Sequence, residues 1–242
     1  MRAAFYTGTS GLVAYQNSMD VIGNNIANCN TTGYKAQKTS FSQLLSSKMN
    51  NNVNPPYVGN GVRTIYTGID SGEATFVPTQ GSFDLAVSGN GWFGVEADGQ
   101  RAYTRDGAFT LSVEGSTTYL TTQSGAYVLD SSGNRITATI DSSSKEIDTA
   151  SMLERVGVFT FTNPEALTPA SSNTYLPNAY TGTAVSAANN VYTVLKGYLE
   201  QSDVSLPDEM VALITAQRGY QLSARVVQTA DEVEQTINSL RR

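Results

Sequence analysis

The chain has 242 residues, of which 40% are hydrophobic and 15% are charged, and its net charge is −6. With 15 basic against 21 acidic residues and no basic run, the composition argues against nucleic-acid binding through phosphates. No apolar stretch approaches the roughly 20 residues of a membrane-spanning helix and no secretory signal opens the chain, so these rules predict a cytoplasmic protein unless an uncleaved export signal of another kind is present.

The first predicted element is an amphipathic helix. Its apolar residues recur at steps of three and four and are Leu12, Tyr15, Met19, Ile22 and Ile26. This spacing places them along one side of a helix, where they form a packing seam. We expect Ser10 to cap the helix, an end near Asn28, and Gly33 to act as a stop.

Three asparagines, Asn24, Asn25 and Asn28, lie in the last turns of this helix. Asparagine is a mediocre helix former, so local propensity does not explain them. They either hydrogen-bond a neighbouring helix or let the helix end fray, and the residues alone favour fraying. Cys29 follows; without any histidine in the chain it is a poor nucleophile, and we interpret it as a small helix-end residue.

Residues 35–71 are predicted to form an extended linker arm. The run at 50–56 contains four asparagines and two prolines, which exclude a regular helix or a central strand. A connection of this length without its own core is usually functional or ordered by a partner.

Residues 72–202 are predicted to form a central all-β domain. Strand patterns occur at 83–87, 103–113, 117–122, 126–129, 136–140 and 156–161. Turn residues separate them at 89–91, 98–99, 106–107 and 132–134, which is the spacing of hairpins.

Two motifs in this region have a functional and a plain interpretation. Residues 89–94 match G-x-G-x-x-G, but no helical period follows to hold a pyrophosphate, so we predict a tight turn with a packed Trp92. Residues 130–134 offer oxygen ligands without the downstream glutamate of a calcium loop, so we predict an ordinary turn at Asp130.

The sequence contains few residues that could form a catalytic or metal-binding site. No Ser/His/Asp or Cys/His set exists, because histidine is absent. A carboxylate pair for glycoside hydrolysis is conceivable among Asp70, Glu73, Asp84 and Asp106, although carboxylates on β-turns are usually solvated. We therefore expect no enzyme, no metal site and no cofactor.

The last predicted element is a helix from about 205 to 240. Ser205 can cap it, Pro207 tolerates the first turn, and Asp208 suits the positive helix end. Its apolar series is Met210, Leu213, Tyr220 and Val227, and then, shifted by one residue, Val226, Ala230, Val233, Ile237 and Leu240. About 35 residues at 1.5 Å each make a helix of about 50 Å, followed by Arg241 and Arg242 at its negative end.

These elements predict an α+β fold. The N- and C-terminal helices (1–34 with 203–242) pair as a coiled-coil-like stem for assembly, and the central domain is all-β. A different class, a carbohydrate-binding β domain or glycoside hydrolase with a coiled-coil stalk, is left open by the residues.

Four blocks of the sequence resemble the bacterial flagellar axial proteins of the rod and hook. They are residues 20–35 (DVIGNNIANCNTTGYK), 83–93 (FDLAVSGNGWF), 103–109 (YTRDGAF) and 209–220, which holds E-M-V and Q-R-G-Y. The blocks follow the expected order over nearly the whole chain. Length and middle blocks are most similar to rod proteins of the basal body, with the distal rod protein first, and the proximal rod or a hook-type protein as alternatives.

The resemblance implies a structural subunit that polymerises head-to-tail into a helical tube and transmits torque. It implies self-assembly, contacts with other rod and hook proteins, and passage through the flagellar type III export apparatus without a cleaved signal, so that the subunit lies in the periplasmic rod. It also favours inter-subunit contact for the asparagines. The predicted interface comprises Leu12, Tyr15, Met19, Ile22, Asn24, Asn25, Ile26, Asn28, Met210, Leu213, Gln217, Arg218, Tyr220 and Val227.

Three positions depart from the family pattern. Gly219 replaces a more usual alanine, which predicts a helix weakened by up to about 1 kcal/mol. Asp203 stands where asparagine is common, and Cys29 where a small apolar residue is usual.

Overall fold

A computed structural model describes residues 2–48, 57–97, 99–115, 117–138, 149–186 and 192–240. The helices are α1 (Arg2–Ala27), α2 (Thr149–Glu154) and α3 (Leu206–Leu240), with a 3-10 turn at Pro164–Ala166. The strands are β1 (Gln37–Gln43), β2 (Ser47–Lys48), β3 (Tyr57–Val58), β4 (Val62–Ile69), β5 (Phe76–Pro78), β6 (Leu85–Gly89), β7 (Trp92–Ala97), β8 (Gln100–Thr104), β9 (Phe109–Glu114), β10 (Thr117–Thr122), β11 (Tyr127–Val128), β12 (Val158–Thr160), β13 (Thr168–Pro169), β14 (Tyr175–Leu176), β15 (Val185–Ser186), β16 (Tyr192–Lys196) and β17 (Tyr198–Glu200). This content confirms the predicted α+β class.

The chain divides into two units, each described by itself. The helical unit comprises Met1–Ala27, Gln37–Thr67 and Ser205–Arg242. The β unit comprises Asn28–Ala36 and Gly68–Val204.

In the helical unit, α1 and α3 pack side by side in antiparallel directions. A Cβ placed on Gly8 would meet Val227, whereas Asn25, near the other end of α1, bonds Glu209 near the start of α3. The predicted α3 is confirmed at 35 residues, and Glu209 N donates to Ser205 O at 3.0 Å in its first turn. Arg241 and Arg242 lie outside the described residues.

The cap predicted at Ser10 is wrong, because α1 already includes residues from Arg2 onward. Ser10 Oγ instead donates to Thr7 O at 2.8 Å and accepts from Val62 N at 3.2 Å. A serine within a helix can bond back to the preceding turn, so a serine before an apolar series does not by itself mark a helix start. The Val62 contact ties the arm to α1.

The predicted arm contains paired strands. β1 pairs with β4 and β2 pairs with β3, while residues 50–56 lie outside the described residues. Thr64 Oγ1 donates to Ala14 O at 2.9 Å, so β4 lies along α1. The sequence did not predict these strands, because their polar residues carry a weak alternation.

In the β unit, one sheet has the strand order β13-β14-β8-β7-β11-β10-β9, and β12 joins β7 and β15. Neighbouring residues of β7 point into different apolar clusters: Trp92 packs with Tyr103 and Tyr175, and Phe93 packs with Leu85 and Phe109. This period-2 alternation is what a strand covered on both faces requires. β7 therefore lies at the centre of the β unit.

Most predicted strands are confirmed, and β10 has the predicted bounds. The predicted strand at 136–140 is not a regular strand in its described part, where Arg135 and Thr137 form isolated β-bridges. Residues 139 and 140 of that strand, and Asp98 of the predicted turn at 98–99, lie outside the described residues. The turn at Gly89 (φ 101°) and the packed Trp92, 1% exposed, are confirmed. So is the turn at Asp130, whose Oδ1 accepts from Ser132 N and Asn134 N.

Candidate assembly surface

The residues predicted to contact other subunits differ in burial within this chain. Ile22 and Asn25 are buried; Leu12, Tyr15, Met19, Ile26, Asn28, Leu213 and Val227 are half-buried; Asn24, Met210, Gln217, Arg218 and Tyr220 are exposed. The exposed members have the most surface left for a neighbour.

Asn25 is fully engaged inside the helical unit. Its Nδ2 donates to Glu209 Oε1 at 2.9 Å and to Gln37 O at 3.0 Å, and its Oδ1 accepts from Gln37 N at 3.0 Å. With 1% exposure, this side chain links α1, α3 and β1 of one subunit and offers a second subunit almost no surface. The frayed helix end that the residues alone favoured is therefore wrong at Asn25.

A long row of apolar side chains on α3 is exposed in the described part of the chain. Its members lie within a strip about 80° wide at 3.6 residues per turn. They are Val211, Leu222, Val226, Val233, Ile237 and Leu240, with 65, 61, 46, 46, 46 and 81% exposure. The row borders the face of α3 that α1 covers: Val226 Cγ1 lies 3.5 Å from a Cβ placed on Gly8, yet each of the six side chains keeps at least 46% of its surface exposed. We call this set the α3 stripe.

A buried group of charges lies within the β unit. Glu200 Oε1 accepts from Lys35 Nζ at 2.8 Å, and Glu200 Oε2 accepts from Arg105 Nη1 at 3.3 Å, with all three side chains at most 1% exposed. Arg105 also donates to Val87 O at 2.9 Å and Gly89 O at 2.7 Å. We call Lys35, Arg105 and Glu200 the ion triad. One carboxylate and several backbone carbonyls face the two cations, and of the side-chain atoms of the triad only Nε of Arg105 is buried without a hydrogen-bond partner among the described residues.

Comparison with known proteins gives three family matches on this chain. Residues 5–35 match "Flagella basal body rod protein", residues 86–152 match "Flagellar hook protein FlgE/F/G D1 domain", and residues 195–240 match "Flagellar basal body rod FlgEFG protein C-terminal". Flagellar basal-body rod protein FlgG of Bacillus subtilis (strain 168) is 32% identical over 268 residues, with 100% of both chains covered. The chain belongs to the flagellar basal-body rod protein family. Membership over the whole length makes it a structural rod subunit.

Two other relatives extend this family assignment. FlgG of Agrobacterium fabrum is 33% identical over 261 residues, covering 98% of each chain. Flagellar hook-basal body complex protein FlhP of Bacillus subtilis is 32% identical over 271 residues, covering 100% of each chain.

The ion triad of this rod-family chain joins the three matched regions. Lys35, Arg105 and Glu200 each come from a different one of them. Lys35 and Arg105 lie inside two of the blocks that resemble the family, and neither was predicted to have a structural role. Their signal was a cation at the edge of an apolar block, but sequence spacing alone does not say that the two cations share one carboxylate.

Two further carboxylates of the β unit have raised pKa values. Burial raises the pKa of Asp203 to about 6, and its Oδ1 accepts from Ala36 N at 2.7 Å while its buried Oδ2 has no hydrogen-bond partner among the described residues. Burial also raises the pKa of Asp106, whose Oδ1 accepts from Thr32 Oγ1 at 2.9 Å. Asp106 was expected to be solvated and is not, because residues 28–36 cover it.

Within the described residues, no cluster of cysteine and carboxylate side chains could hold a metal ion. A search of the same residues finds no helix with the length and apolarity needed to cross a membrane.

Proposed function

We propose that this rod-family subunit polymerises head-to-tail into a helical tube, and that the α3 stripe is the surface that neighbouring copies cover. The observation that carries the proposal is the exposure of six large apolar side chains along one side of a 35-residue helix. Contiguous apolar patches of this kind are rare on monomers and mark interaction sites. Contacts that do not close generate a filament.

The apolar contribution of the stripe is large enough to matter. Burying the rest of a half-exposed aliphatic side chain contributes about 1 kcal/mol, so the whole stripe contributes about 6 kcal/mol per copy. Assembly requires this gain to exceed the free-energy cost of lost translational and side-chain freedom. Each copy in a filament contacts several neighbours, and these repeated contacts add to the gain. Because only 15% of the residues are charged, few charges must be desolvated when copies pack.

The finer assignment follows the family. We place the subunit in the distal segment of the periplasmic rod, in contact with other rod and hook proteins, exported by the flagellar type III apparatus without a cleaved signal, and without a catalytic role. The names of the FlgG relatives and of the hook-basal body complex relative support this placement. Close packing of the tube is what would let it transmit torque, because packed interiors resist compression.

The test is assembly of the purified full-length chain at high concentration, followed by sedimentation and electron microscopy. Leu222→Glu places a charge in the middle of the stripe, where the side chain is 61% exposed, so folding of the subunit is expected to be retained. Gln228→Glu is the matched control, since it places the same charge on an exposed position about 120° from Leu222. The unchanged chain and Gln228→Glu should form tubes and Leu222→Glu should remain monomeric; equal assembly of both variants would contradict the proposal.

A further inference from the structure

Tyr15 of α1 packs directly on the backbone of Gly219 in α3. A Cβ placed on Gly219 would lie 2.3 Å from Tyr15 Cζ and 2.5 Å from Cε1, distances that real Cβ atoms do not show. The Tyr15 ring also packs on Phe41 of β1, with ring centroids 5.1 Å apart. A side chain at position 219 would require the ring to move, and moving it disturbs this second contact.

The same helix pair has the reverse arrangement further along. A Cβ on Gly8 of α1 would lie 2.8 Å from Val227 Cγ2, and one on Gly11 would lie 3.0 Å from Ser223 Oγ. At Tyr15 a large α1 side chain meets an α3 glycine, and one to two turns nearer the start of α1 an α3 side chain meets an α1 glycine. The two helices are complementary in one alignment.

An apolar seam with a seven-residue repeat does not by itself fix an alignment, because a slip of seven residues again matches apolar with apolar. Gly219 is the only glycine of α3. A slip of seven residues would place Tyr15 opposite Ala212 or Val226, both of which carry a Cβ. The slipped alignments therefore meet a steric penalty that the observed one avoids.

We propose that Tyr15 and Gly219 determine the register of α1 against α3 within one subunit. This specificity pair acts within one subunit and includes no residue of the α3 stripe, so it goes beyond the assembly proposed above and can hold or fail independently of it. It also gives Gly219 a role beyond the weakening of the helix that its low propensity predicts.

Stability measurements separate this role from an ordinary helical glycine, because the two predict opposite signs. Gly23→Ala in α1, where an added Cβ has no atom within 4 Å, should raise the thermal midpoint of the helical signal by about 2–4 °C. Gly219→Ala should lower the midpoint, and in a Tyr15→Ala background it should raise the midpoint as Gly23→Ala does. A rise with Gly219→Ala in the presence of Tyr15, or a fall in its absence, would overturn the proposal.

Disulfide trapping in the full-length chain reads the register directly. A Cβ on Gly11 would lie 3.5 Å from Ser223 Cβ, within the range of a disulfide, so Gly11→Cys with Ser223→Cys in a Cys29→Ser background reports the observed register. Gly11→Cys with Ala230→Cys, or with Ala216→Cys, reports a slip of seven residues. With Gly219 present the 11–223 disulfide should predominate, and Gly219→Ala should reduce its yield while raising that of a slipped pair. No 11–223 disulfide in the first case, or an unchanged yield in the second, would refute the register role.

Discussion

Removing the carboxylate of the ion triad should be among the most destabilising single changes in the β unit. Glu200→Ala leaves Lys35 and Arg105 as two cations with at most 1% exposure and, in the part of the chain that the structure describes, without the carboxylate that bonds them both. It also removes the acceptor of Ala74 N. Breaking a buried ion pair on one side costs about 3–5 kcal/mol. For a chain of this size that lowers the thermal midpoint by about 6–20 °C.

The fluorescence of Trp92 provides the assay. It is the one tryptophan of the chain, it is 1% exposed, and Arg105 Cζ lies 5.2 Å from its ring centroid. Urea unfolding followed at this residue therefore reports the β unit that contains the ion triad. The midpoint for Glu200→Ala should fall, without a large change in slope if the unfolding surface is unchanged.

A matched control removes a carboxylate from an exposed pair. Glu154 lies 3.4 Å from Lys196 with side-chain exposures of 73 and 50%, so Glu154→Ala should change stability by at most about 0.5 kcal/mol. Combining Lys35→Met with Glu200→Ala should cost less than the sum of the single changes, because the pair interacts directly. If Glu200→Ala shifted the midpoint no more than Glu154→Ala, the reasoning about buried charge would be refuted.

The remaining predictions concern the same unit and the same urea assay. Burial raises the pKa of Asp203 from 3.8 to about 6, so the folded chain binds this proton more tightly than the unfolded chain, and stability falls as pH rises between about 4 and 6. Asp203→Asn should remove that part of the pH dependence and unfold at a higher urea concentration at pH 7. An identical pH profile for the variant and the unchanged chain would contradict this. Gly33→Ala should lower the free energy of unfolding by at least about 2 kcal/mol, since a Cβ would lie 2.3 Å from Asp106 N. Gly115→Ala is the control and should cost less, because its φ is similarly positive (61° against 63°) but an added Cβ has no atom within 4 Å. Met152→Ala in the fully buried core should cost about 2–5 kcal/mol, and a loss below about 1 kcal/mol would show that the site collapses.

The sequence predicted α3 and most of the central strands because their signals are local. Residues 205–208 combine a cap, a proline and an acidic residue, and the glycine-containing turns separate short apolar alternations. The start of α1 was missed for the opposite reason. Gly8 and Gly11 have poor helix propensity, yet both are helical because they allow α3 side chains to approach closely.

The partners of polar residues could not be predicted from spacing. Asn25 and Glu209 are 184 residues apart, and Lys35 and Glu200 are 165 apart. The sequence shows Asn25 as a poor helix former inside a helix and Lys35 as a charged residue at the edge of an apolar block. Such residues indicate that a partner exists, but only the fold brings a particular partner near.

Contacts within the β unit also join the two chain segments that lead to the long helices. Gly33 N donates to Glu200 O at 2.8 Å, and Asp203 N donates to Tyr34 O at 3.3 Å. Once the β unit is folded, these contacts shorten the flexible loop that must close when α1 pairs with α3. Its effective length falls from about 170 residues to about 10. On the (3/2)RT ln n scale this lowers the entropic cost of pairing the helices by about 2.5 kcal/mol. Loss of the ion triad should therefore weaken the pairing of α1 with α3, and the 11–223 disulfide should form more slowly in Glu200→Ala than in Glu154→Ala. Equal rates in the two variants would show that the helices pair without help from the β unit.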